Sequence, residues 1–306
     1  MTAATPPLSP SEVERRAGFM AAAAAYVMWG FLPLYLKLMQ DVDVREVLAQ
    51  RIIWCVPAAL IAVFVMSGWR RGISEIVQAF RPRMLGALAA SAVFIFFNWG
   101  LYVWLVLQAR VIESSLAYFL SPLVSVAIGV AFFGEKIRTP QVVALFLALA
   151  GVIVQGIALG APPWAALALC ATWQAYAVIR KRAAVPAATG LLIETIALAP
   201  VALGLLWWVT QSAPLSFGAD WGLTIVLALA GTVTAIPLMA FAFGARRVSF
   251  TALGLLQFLA PSLQFATGIA FGEEFTLLRG ISFALIWAGL GFFAWDTLKR
   301  RTLNAT

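Results

Sequence analysis

The sequence predicts an all-α integral membrane protein, with ten transmembrane helices set as a five-plus-five inverted-topology repeat. Three observations lead there. Of the 306 residues, 63% are hydrophobic and only 11% charged, where soluble domains carry about 25% charge. Apolar stretches of about 20 residues, the length a helix needs to cross a bilayer core, recur along the whole chain. Finally, Tyr118-Phe119-Leu120-Ser121-Pro122, followed by Gly134-Glu135 and Ala150-Gly151, returns as Gln257-Phe258-Leu259-Ala260-Pro261, Gly272-Glu273 and Ala288-Gly289. A hydrophobic chain that repeats its own first half points to a transporter, because two similar halves can rock about a central site.

The spans fall at 18–38, 47–67, 84–106, 112–133, 140–159, 163–180, 187–209, 221–243, 249–271 and 279–297. They leave little chain for a soluble domain, so function must reside in the helices. Barrel strands are excluded: the stretches are too long and too evenly apolar, and a helix pairs its own backbone groups where no water can. The halves divide near Gly160-Ala161-Pro162-Pro163. This gives a cytoplasmic tail at 1–17, a first repeat at 18–160, a second at 161–298 and a cytoplasmic tail at 299–306. The segment before the first span lacks the form of a cleavable leader, so that span is expected to stay in the membrane.

The net charge of +8 invites a nucleic-acid reading, but its placement argues against one. With both termini in the cytoplasm, 16 of the 21 basic residues lie on the inner side. Only Lys37, Arg45, Arg51, Arg110 and Arg279 lie on or near the outer side. That asymmetry follows the positive-inside rule. Cys55 and Cys170 both sit within spans, which speaks against a disulfide framework or a zinc site. No metal or other cofactor is expected. The expected partners are a small-molecule substrate and the lipid bilayer, not nucleic acid, and the oligomeric state is left open.

Five spans per half is odd, so the second half enters the membrane from the opposite side, and Gly134-Glu135 and Gly272-Glu273 face opposite compartments. A weaker echo joins the opening helices: Trp29 precedes Lys37 by the step that separates Trp173 from Lys181. Pro122 and Pro261 hold equivalent positions in the two copies. Because proline removes a backbone donor and pushes the preceding turn apart, the pair is a candidate hinge.

Polar and aromatic residues recur at helical spacing within the spans. Tyr26 and Trp29 mark the first, Ser91, Asn98, Trp99 and Tyr102 the third, and Ser114, Tyr118, Ser121 and Ser125 the fourth. Trp173 and Tyr176 mark the sixth, Gln257 and Gln264 the ninth. Such groups are costly against lipid and should turn inward. For a single serine, helix–helix hydrogen bonding explains the placement. The bulky rings would hold helices apart, however, and favour a cavity with polar anchors. Glu194 is the one acid deep in a span and a candidate coupling site, with pairing to nearby basic residues as the alternative. Arg51 and Glu113 are expected nearer the outer interface. With no ring of charges at mid-membrane, the cargo should be neutral or zwitterionic. Histidine, a G-x-S-x-G elbow and facing aspartates are all absent, so the common intramembrane enzyme chemistries lack parts and no catalytic residue is assigned.

Several motifs carry a family resemblance: Ala25-Tyr26-Val27-Met28-Trp29-Gly30, Leu48-Ala49-Gln50-Arg51, Asn98-Trp99-Gly100-Leu101-Tyr102, Ser115-Leu116-Ala117-Tyr118-Phe119, Ile193-Glu194-Thr195, Thr234-Ala235-Ile236-Pro237 and Leu253-Gly254-Leu255-Leu256-Gln257. Over about residues 17–300 the chain resembles the EamA-type transporters of the drug/metabolite transporter superfamily, and most closely their RarD branch. The resemblance implies the ten-helix fold, a bacterial inner membrane, and export of amino acids or related metabolites, with drug efflux in some members. It also implies a cavity lined by helices 1, 3, 4, 6, 8 and 9.

Overall fold

The structure, a computed structural model, describes residues 10–108, 111–159, 164–270 and, between 276 and 292, all but 279, 283, 286 and 290. Every described element is an α-helix, apart from an isolated bridge between Phe217 and Asp220. In chain order they are α1 (Pro10–Gly30), α2 (Leu32–Lys37), α3 (Val44–Ser67), α4 (Trp69–Ala79), α5 (Pro82–Leu107), α6 (Val111–Phe133), α7 (Thr139–Leu159), α8 (Trp164–Arg182), α9 (Ala187–Thr210), α10 (Trp221–Ala245), α11 (Phe250–Leu256) and α12 (Leu259–Ala270). A further apolar helix, α13, runs Gly280–Gly289. Helices stand within the expected spans, with α1–α2 and α11–α12 each falling in one, while residues 293–297 of the last span lie outside the described residues. Five stretches are long and apolar enough to cross a bilayer outright: Glu12–Lys37, Val44–Ser67, Pro82–Leu107, Ala187–Thr210 and Trp221–Ala245.

The surface is inverted relative to a soluble protein. Val65, Phe97 and Trp207 are exposed, while Ser91, Thr195 and Gln174 are buried. This is the arrangement lipid demands, because a polar group there must find its partner inside the protein.

Proline acts unequally. Pro33 cannot donate to the Trp29 carbonyl, and its ring crowds it, so the chain turns at Phe31 and α2 begins anew. The freed Trp29 carbonyl accepts the Gln264 amide nitrogen from α12 at 3.3 Å. At the other break, Gln257 and Phe258 leave helical geometry one turn before Pro261. Helix α6, by contrast, runs unbroken through Pro122. The two prolines that the repeat makes equivalent thus sit in different backbones. Pro122's own side chain lies outside the described residues.

The stretch between the second and third expected spans is itself a helix, α4. Its residues Trp69, Ile73 and Val77 are exposed along one face. Glu75, on the opposite face, ties α4 to its neighbours: it accepts from Ser67 at 2.8 Å, Thr189 at 3.2 Å and Arg71 at 3.0 Å.

Helices α3, α9 and α10 pack most closely, together with α1 against α10. Asp43 caps α3 through the Arg45 amide at 2.8 Å and pairs with its guanidinium, which holds the Asp43 carboxyl below its usual range. Gly231 lets α10 lie against the α3 backbone, where an added methyl would overlap the Trp54 carbonyl. Gly231→Ala should therefore destabilise the detergent-solubilised protein by about 2 kcal/mol or more. Gly204→Ala, where a methyl meets nothing within 4 Å, should stay within about 0.5 kcal/mol. Thermal unfolding of the two variants side by side checks this.

Candidate functional site, a ring-lined cavity

Tyr26 and Trp29 lie one helical turn apart on α1, and Trp173 and Tyr176 repeat that spacing on α8. The two tryptophans meet edge to face, with ring centroids 5.1 Å apart. Phe241 of α10 packs against all four rings, at 4.8 Å from Trp173 and 5.8 Å from Trp29. On the far side Tyr102 and Tyr118 form a second edge-to-face pair at 5.9 Å.

Between these ring groups lies a narrow cavity of about 50 Å³, room for a few water molecules as it stands. Helix α5 adds Asn98 and Trp99, α6 adds Ser121, and Gln257 enters from the turn between α11 and α12. Leu32, Ala117, Leu169 and Leu238 fill the apolar wall. A wider cleft of about 620 Å³ lies among Glu75, Arg81, Arg83 and Arg182. Its charged rim sets it apart from the buried, ring-walled space.

The structure brings most of the expected site residues together. Tyr26, Trp29, Asn98, Trp99, Tyr102, Tyr118, Ser121, Trp173 and Gln257 all line the cavity. Tyr176 does not; it is buried behind Trp173, at 5.6 Å between rings. Gln264 also stands outside the lining, holding the carbonyl that Pro33 released. The Ser114 side chain lies outside the described residues.

Arg51, expected nearer the outer interface, lines the cavity and is only 4% exposed. Counting from the start of α3 places it near a helix end. Leu32, Leu36, Met39 and Val42, from α2 and the turns after it, form one buried apolar cluster with Val47 near that end. The chamber therefore carries a positive charge. Arg51 Nε donates to Thr234 Oγ1 at 3.1 Å, and its guanidinium lies over the Trp99 ring at 5.3 Å.

Polar ties hold the wall. Asn98 Nδ2 donates to the Leu169 carbonyl at 2.9 Å and to Thr172 at 3.1 Å, joining α5 to α8. Gln174, which sequence reasoning passed over between two aromatic residues, donates to the Ser121 carbonyl at 2.7 Å and to Ser125 at 2.8 Å. Ser125 in turn accepts Gln257 Nε2 at 3.0 Å. Three polar atoms on the lining have no partner: Tyr26 Oη, Arg51 Nη1 and Gln257 Oε1.

Both ends are tied. At the end rich in basic residues, Lys181 donates to the carbonyls of Ala245 and Val248, at 3.2 and 2.8 Å. Glu135, after the left-handed Gly134 (φ 62°), accepts the Phe250 amide at 2.6 Å. At the opposite end Tyr35 donates to the Val226 carbonyl, and Glu46 accepts the amides of Ser216 and Phe217 at 3.0 and 2.8 Å. Glu194 lies off the cavity. It accepts from Ser91 and faces Arg180 Nη1 at 3.6 Å, both ionic side chains being 1% exposed.

A polytopic helical bundle around a ring-lined cavity is a membrane transporter's architecture, and the comparisons agree. The sequence model of the EamA-like transporter family matches residues 16–156, and the chain belongs to that family. It is a multi-pass membrane transporter of the RarD type, 39% identical to the protein RarD of Streptomyces exfoliatus over 94% of this chain and 91% of that protein. It is 36% identical to the protein RarD of Escherichia coli (strain K12), over 94% and 98%. The uncharacterized transporter YojE of Bacillus subtilis (strain 168) is 35% identical over 94% and 96%. A solved crystal structure, 21% identical, overlays with a TM-score of 0.71 over 91% of this chain and 97% of that one, and bears on the fold alone.

The buried Arg180–Glu194 pair gives a stability test. Arg180→Met or Glu194→Leu should each cost about 3–5 kcal/mol, because each strands a charge, whereas the double variant should lose much less than their sum. Thermal unfolding of the three proteins closes the cycle.

Proposed function

We propose that the protein exports amino acids or related small neutral or zwitterionic metabolites by alternating access, with the ring-lined cavity as cargo site. One observation carries this reading: rings and polar side chains from α1, α3, α5, α6, α8 and the turn after α11 converge on one cavity, and polar atoms on its wall have no partner. Stacking on Trp29, Trp99, Tyr118 and Trp173, with hydrogen bonds from Asn98, Ser121 and Gln257, fits a small amphipathic molecule. Tyr26 and Tyr102 complete the ring wall, and Tyr176 and Gln264 support it from behind.

The proposal includes ten spans in two inverted halves, in a bacterial inner membrane with both termini cytoplasmic. Support comes from two bonds made across the halves. Arg51 stands to Glu194 as Ser91 stands to Thr234, the same number of positions along the chain, and Arg51 meets Thr234 while Glu194 meets Ser91. A pseudo-twofold axis produces such a crossed pair. Rocking would loosen the ties at one end while tightening those at the other. The turn at Gln257-Phe258 before Pro261 supplies a hinge in one half, and α6 at Pro122 is its partner in the other. Glu194, between the Arg180 end and the bundle centre, is the proposed coupling residue. Efflux of lipophilic drugs is the second reading, favoured by the density of rings on the wall.

Two measurements test this. Tyr118→Ala should lower amino-acid flux in proteoliposomes about tenfold or more while thermal stability changes little; wild-type flux would remove the cavity from the reading. Accessibility labels at positions 135 and 273 should report opposite compartments, and a shared compartment would sink the inverted arrangement.

A further inference from the structure

Arg51 is the one charged side chain on the cavity wall. A guanidinium stays protonated even when buried and offers five N–H donors in a planar fork. Here Nε is satisfied by Thr234, one face rests on Trp99, and Nη1 has no partner. An uncompensated cation is expensive at this depth. No carboxylate among the lining residues answers it. Glu194, its counterpart in the other half, is engaged by Arg180 and Ser91.

From this geometry we infer that Arg51 anchors a carboxylate on the cargo. The ligand class is therefore a small organic acid or α-amino acid bound by its carboxylate, not an uncharged lipophile. Gln257 Oε1, an acceptor with no partner, and the Tyr26 hydroxyl are the remaining free polar atoms on the lining. They suit an ammonium or hydroxyl on the same molecule, while the rings take its apolar part. This inference rests on the cavity being the cargo site and adds the charge that the cargo must bring.

The test compares acids with their primary amides, which keep shape and side chain but lose the negative charge. Wild-type protein in proteoliposomes is given a panel of amino acids, each matched with its amide, and counterflow is measured. The acid should outcompete its amide by about tenfold to a hundredfold. Arg51→Gln should bring the two within about threefold, and Arg51→Lys should restore part of the preference. Equal transport of acid and amide by wild-type protein overturns the anchor while leaving the transport reading intact. No flux of any acid or amide overturns both. Inhibition by sodium phosphate or chloride at matched ionic strength, equal to that by the acids, makes the site one for inorganic anions and overturns the carboxylate assignment. The wild-type comparison needs no variant, so a failure of Arg51→Gln to fold leaves the test standing.

Discussion

Inside hydrocarbon a polar group must be satisfied by the protein itself, and most of this architecture follows from that requirement. Where Pro33 withdraws a donor from α1, Gln264 arrives from α12 to hold the orphaned carbonyl. Ser121, Ser125, Gln174 and Gln257 settle one another's needs across three parts of the bundle. The ends of the bundle are closed in the same way, by Lys181 and Glu135 on one side and Glu46 on the other, each reaching backbone groups of a distant helix. Among the described residues, buried polar atoms without a hydrogen-bond partner remain in two places, on Arg180 and Glu194 off the cavity and on Tyr26, Arg51 and Gln257 along its wall.

In the proposed inverted repeat, the two halves use one design for different ends. Ser91 and Thr234 are matched hydroxyls, each bonded to a charged residue on the neighbouring helix of the other half. Those charged residues are of opposite sign. In the proposed second half the acid faces Arg180, with Nη1 3.6 Å from its Oε1. In the first half the guanidinium is left facing the cavity. The proline breaks diverge likewise, with a turn before Pro261 and continuous helix through Pro122. A site needs asymmetry to hold an asymmetric molecule, and these departures from the repeat supply it.

Much of this was legible in the sequence. Apolar runs gave the helices, because a bilayer imposes a length that composition alone can report. Spacing of three and four placed Tyr26 with Trp29, and Trp173 with Tyr176, on shared faces, and those faces do meet. What was hidden depends on neighbours distant in the chain. That Arg51 lines the cavity depends on Trp99 and Thr234, far away in the chain, which its guanidinium meets only on folding. Phe241, which gathers four rings, is one phenylalanine among 22 and carries no local mark. Helix α4 was within reach: Trp69, Ile73 and Val77 repeat every fourth residue between two spans.

Arg51 also bears on the choice between metabolite and drug. Aromatic walls alone discriminate weakly, since apolar contact accepts many shapes, and a chamber built only of rings would favour lipophiles. A buried guanidinium changes the comparison. A neutral lipophile filling the space would displace any water near Nη1 and return no acceptor, leaving the cation stranded at a cost of a few kcal/mol. A carboxylate of similar bulk removes that cost and adds a charge-assisted bond. The selectivity then comes as much from the penalty on the wrong cargo as from attraction to the right one. The same penalty falls on the empty chamber, so the cargo that satisfies Arg51 is also the one that stabilises the closed bundle around it.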